Sequence, residues 1–149
     1  MGLKERLRDD LTEAIRSRDA VTSGTIRMVL SAITNEEVSG KNARELTDAE
    51  VITILSREAK KRREAAEAFD AGARPEKAVL ERAEGDVISK YLPAQLSEDA
   101  LATLIKEAIA ESGASGQAGM GLVMKALSPK IAGRADGATV SAAVKAALS

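Results

Sequence analysis

Apolar positions along the chain recur three and four residues apart, and no stretch alternates, which predicts an all-α protein. Leu3, Leu7, Leu11 and Ile15, with Ala14, mark one face of a first helix. Asp19 is placed to cap a second, whose stripe is Ile26, Val29, Leu30 and Ile33 and whose natural stop is Gly40. Gly24 costs that helix about 1 kcal/mol against alanine, and a small residue there is expected to let another helix approach closely. Thr47 and Glu50 read as a capping box for a long third helix reaching Ala71, with Val51, Ile54, Leu55, Ala59, Ala66 and Phe69 on its buried side. Pro75 opens a fourth helix with a stripe of Val79, Leu80, Ala83, Val87, Ile88 and Tyr91. Leu92-Pro93 closes it, because proline pushes the preceding residue out of the helical region.

A domain boundary is expected at Leu92 to Leu96, dividing a four-helix unit, residues 1–92, from a three-helix tail, residues 97–149. Ser97 caps the fifth helix, which carries Leu101, Leu104, Ile105, Ala108 and Ile109 and stops at Gly113. Gly113–Gly119 reads as a flexible, low-complexity loop. Its GxxG lacks the flanking strands a KH domain needs, and Gly119-Met120-Gly121 lacks the strand before a dinucleotide loop. The last two helices surround a sharp turn, Ala132-Gly133-Arg134-Ala135-Asp136-Gly137, with Asp136 as cap and both glycines expected at positive φ. That turn holds Arg134 on a compact corner, with Lys130 just before it. The corner reads either as a basic contact for a phosphate backbone or as an ordinary helical hairpin with solvated cations.

Composition narrows the chemistry. Net charge is −1, which excludes a uniformly basic nucleic-acid binder. The distribution is uneven: residues 113–149 carry Lys125, Lys130, Arg134 and Lys145 against Asp136 alone, net +3, so the remainder carries −4. Aromatic residues are 1%, Phe69 and Tyr91 only, which disfavours a β-sandwich or barrel. The absence of Cys and His removes disulfides, thiol nucleophiles, zinc-finger spacings and imidazole bases. No nucleophile elbow or P-loop is present, and adjacent acids such as Asp9-Asp10 diverge by about 100° on a helix and form no dyad. No catalytic residue, metal site or cofactor is therefore expected. Met28, Met120 and Met124 read as core fillers. Met1-Gly2-Leu3-Lys4-Glu5-Arg6 leads into a mixed-charge helix with no apolar leader, and no membrane span is expected, so the location is taken as cytoplasmic.

The middle of the third helix is crowded with Arg57, Lys60, Lys61, Arg62 and Arg63. Five cations at about 100° per residue cannot share one face; Arg57, Lys60, Lys61 and Arg63 come closest to a stripe. Glu58 is spaced to pair with Arg62, Glu64 with Lys60 and Glu67 with Arg63. A phosphate-binding helix and a solvated face laced by acids both fit.

Three stretches, in this order, resemble landmarks of the YqeY-like family: Lys60 to Phe69, Tyr91 to Ser97, and Gly121 to Ala126 followed by Pro129 to Gly137. The last is similar to the tail domain of the B subunit of the tRNA-dependent amidotransferase, GatB. The resemblance implies a helical appendage that binds tRNA, while the amidating chemistry resides in other domains and another subunit. The family label carries an association with carbon–nitrogen ligase activity using glutamine as amido-N-donor. Carried over, the RNA contacts are Lys125, Lys130, Arg134 and Lys145. Gln117 stands where a helix-capping Asp is common in the family, so a looser start to the sixth helix is expected.

The resulting expectation is a non-catalytic tRNA- or RNA-binding adaptor. Its candidate contacts are Lys125, Lys130, Arg134 and Lys145 on the tail and Arg57, Lys60, Lys61 and Arg63 on the long helix. Its partners would be tRNA and amidotransferase or aminoacyl-tRNA machinery. The alternatives are a helical protein-interaction module and an amidotransferase accessory.

Overall fold

The computed structural model describes residues 2–149 and is all-helical: α1 (Leu3–Arg16), α2 (Ala20–Glu37), α3 (Asp48–Ala71), α4 (Pro75–Ser89), α5 (Glu98–Ser112), α6 (Met120–Ile131) and α7 (Gly137–Ala147). No strand occurs among the described residues, and no helix is long and apolar enough to cross a membrane. The chain divides into two compact units, the first ending at Leu92 and the second running Pro93–Ser149.

Local chemistry sets most helix ends. Asp19 accepts from the Thr22 N–H at 3.0 Å, which also holds its carboxyl below the usual range. Thr47 and Glu50 form the reciprocal capping box. Ser97 and Asp136 cap α5 and α7 by accepting from the Ala100 and Thr139 N–H groups. Gly113 ends α5 at φ 65°, where glycine avoids the Cβ penalty of other residues.

The core of the first unit gathers Leu7 from α1, Ile26, Val29 and Ile33 from α2, Val51, Ile54 and Leu55 from α3, and Val87 and Ile88 from α4, with Tyr91 after it. The strongest packing partners are α3 with α4 and α1 with α2. The second unit buries Leu101, Ile105 and Ala108 of α5 against Val123, Leu127 and Ile131 of α6 and Val140 and Val144 of α7. Its third helix also closes through Gln117, whose side-chain amide donates to the Lys145 carbonyl at 3.1 Å, tying a 3-10 turn (Gln117–Gly119) to the end of α7.

Several expectations are corrected. Ile15, Val79 and Leu80 complete apolar stripes on paper, yet they are 50%, 64% and 49% exposed, because among the described residues of the first unit nothing packs over those parts of α1 and α4. Met28 is exposed rather than a core filler. The second helix ends at Glu37, before Gly40. A Cβ built on Gly24 meets nothing within 4 Å, so the glycine serves no close helix approach. Gly133 has φ 72°, but Gly137 is simply the first residue of α7. The loop after Gly113 contains the 3-10 turn, and a Cβ on buried Gly119 would lie 2.6 Å from the Ala114 Cβ. The N-cap of α6 is Gly119, which has no side chain to cap it, while the Gln117 side chain is engaged with the Lys145 carbonyl.

Candidate nucleic-acid interface

The eight candidate cations fall into different environments. On α3, Arg57 and Arg63 are exposed and form no ion pair among the described residues. Lys61 is exposed with its ammonium 3.3 Å from Glu58, and Lys60 is half-buried. Arg57 and Lys61 line the same open cleft, about 350 Å3 in volume, with Glu36 and Glu58; Arg63 does not line it. Cations and acids are therefore balanced there, one helical face of α3 meeting the end of α2.

The basic corner of the tail is more altered. Arg134 is half-buried. Its Nε donates to the Ala94 carbonyl at 3.1 Å, and its own carbonyl accepts from the Leu96 N–H at 2.9 Å. Gln95 donates to the Gly133 carbonyl at 2.8 Å. The guanidinium thus braces the Pro93–Leu96 segment against the glycine turn and is not a free surface charge. Lys130 lies 3.6 Å from Glu111. Lys125 on α6 and Lys145 in the last turn of α7 are exposed and form no ion pair among the described residues.

Arg62, excluded from the candidate stripe, is the most constrained cation of α3. Its side chain is 10% exposed, with Nη1 2.8 Å from Glu58 and Nε 3.4 Å from Glu84 on α4. Nη2 lies 3.2 Å from the Met28 sulfur on α2. The Nε contact with Glu84 is a charge contact without hydrogen-bond alignment. A signal for this burial exists in the spacing, since position 62 continues the series 51, 55, 66 and 69 of the apolar stripe.

Other ionic groups tie the first unit together. Lys4 on α1 donates to both Glu37 carboxylate oxygens, at 2.7 and 2.8 Å, and the Leu46 N–H donates at 3.3 Å. These donors, the Lys4 ammonium foremost, hold the Glu37 carboxyl below its usual range. Arg44 grips Glu50 through two bonds of 3.0 and 2.5 Å and, with the Thr47 backbone, brings its pKa to about 2. The Tyr91 hydroxyl donates to Asp10, and Arg6 lies 4.9 Å above the tyrosine ring. Burial of the phenol, then its bond to Asp10, raises the Tyr91 pKa. No group of three or more acidic, His or Cys side chains could hold a metal among the described residues.

Comparison with known proteins bears on this arrangement. Two curated fungal relatives, each named altered inheritance of mitochondria protein 41, mitochondrial, are similar to this chain. The one from Candida glabrata is 30% identical over 62% of this chain and 53% of its own length. The one from Clavispora lusitaniae is 31% identical over 61% of this chain and 52% of its own. The chain thus spans about half the length of the curated relatives it matches. Their mitochondrial names overturn the cytoplasmic expectation, which rested on a missing apolar leader, a feature that speaks to secretion and not to other compartments. The profile of the family described as Yqey-like protein matches residues 4–148, both helical units included, and the chain belongs to the YqeY-like family.

Proposed function

We propose that the chain is a non-catalytic adaptor that binds structured RNA, tRNA foremost, through phosphate contacts. The observation that carries the reading is the pair Lys125 and Lys145, exposed on adjoining elements of the tail with no acidic partner among the described residues. Arg57 and Arg63 extend the same chemistry on α3. Arg134 and Lys130 move to a supporting role, because carbonyl oxygens hold one and Glu111 the other. The resemblance of the tail to that of the amidotransferase B subunit supports tRNA as the RNA class and suggests a shared partner in amidation.

The test is fluorescence-detected binding of labelled tRNA across a salt series. Phosphate contacts release counterions, so affinity falls steeply with salt. Lys125→Ala and Lys145→Ala each weaken binding and reduce the salt slope by about one. Absence of tRNA binding at low salt, or unchanged affinity in both variants and in Arg57→Ala and Arg63→Ala, would refute the reading.

A further inference from the structure

The cleft of about 350 Å3 between the end of α2 and the first half of α3 has a use that phosphate binding does not explain. Its apolar floor includes Ala32 and the buried Ile54. From α2 come Asn35 and Glu36, and from the turn just after it Ser39; from α3 come Arg57, Glu58 and Lys61. Glu58 is already committed, 2.8 Å from Arg62 and 3.3 Å from Lys61. Two charges of opposite sign are left, Arg57 and Glu36. They line one cleft from facing helices, yet no ion pair joins them. Arg44 lies near enough to feel the Glu36 charge, but Glu50 holds its guanidinium. The α2 terminus adds to the asymmetry: its last turn has no basic residue, so its partial negative charge favours a cation beside Glu36.

We propose that this cleft binds a zwitterionic α-amino acid, its carboxylate on Arg57 and its ammonium on Glu36. A ligand with both charges satisfies two side chains that the fold leaves apart. A planar guanidinium suits a carboxylate, with which it forms paired hydrogen bonds. Asn35 and Ser39 supply neutral polar contacts on the ammonium side, and an apolar side chain lies on Ile54 and Ala32. The volume falls within the ordinary range for small-molecule sites, about 300–1,000 Å3. A single-charge ligand would leave one of the two groups unanswered and so bind more weakly.

The experiment is an amide-shift titration of the full chain, without RNA, using L-leucine, L-leucinamide and N-acetyl-L-leucine. Leucinamide lacks the carboxylate and stands for a peptide N-terminus; N-acetylleucine lacks the ammonium and stands for a peptide C-terminus. L-Leucine is expected to give saturable shifts confined to residues 32–39 and 54–61, with Kd on the order of 1 mM and about tenfold weaker binding of the other two. Arg57→Gln should erase the preference over leucinamide, and Glu36→Gln the preference over N-acetylleucine. Both side chains are exposed, so the variants keep the fold, checked by unchanged shifts elsewhere. Absence of saturable shifts up to about 50 mM L-leucine, well above that expected Kd, would overturn the proposal. So would equal binding of all three probes, or preferences that survive the matching substitution.

Discussion

Removing the Arg62 guanidinium should unfold the first unit more readily than any surface charge change. Arg62 is 10% exposed, between Glu58 at 12% and Glu84 at 18%. In Arg62→Ala these two carboxylates lose their shared cation while still shielded from water, and the arginine stem no longer fills the space between α3, α4 and Met28. Taking one partner from a buried pair costs about 3–5 kcal/mol. The lower end applies, because Lys61 stays 3.3 Å from Glu58. A loss of about 3 kcal/mol is a large part of a typical stability of 5–15 kcal/mol. Urea denaturation measures it, and the composition provides a local probe. Tyr91 is the sole tyrosine and there is no tryptophan, so tyrosine emission reports the first unit, whereas far-UV circular dichroism reports every helix. The Tyr91 midpoint should fall sharply. Arg62→Met combined with Glu58→Gln and Glu84→Gln should recover most of the loss, since no uncompensated charge remains. A cost below about 1 kcal/mol, the size of a surface substitution, would refute the reasoning, as would a triple variant weaker than Arg62→Ala.

Gly24→Ala should stabilise the first unit by about 0.5–1 kcal/mol in the same assay, because the added methyl meets nothing within 4 Å and the helix gains propensity. Glu50, with a folded pKa of about 2 against 4.5, stabilises the fold above pH 4.5 and loses that contribution as pH falls toward 2; Glu37 has the same sign. Arg44→Ala should therefore flatten the acid limb of stability in pH-dependent melts. Tyr91 is shifted upward from 10.0, so its contribution is complete below pH 10 and declines above it. Its tyrosinate absorbance should appear later than that of a free phenol, and Asp10→Asn should bring it earlier.

Features set within a few residues were legible in the sequence. The helical periods, the Thr47–Glu50 box and the Asp19, Ser97 and Asp136 caps all depend on groups three or four positions apart, which the chain order itself places together. The candidate cations were legible as residue types, but their availability was not. Arg134 finds its acceptor 40 residues away at Ala94, and Lys4 finds Glu37 across 33. Tyr91 reaches Asp10 across 81. Periodicity announces an apolar face without saying what covers it. Val79 and Leu80 remain open on α4, while Arg62 is enclosed on α3 because Glu84 and Met28 are brought to it. Whether a charge is a surface contact or an internal brace depends on the groups that folding brings within a few ångströms, and sequence spacing is blind to them.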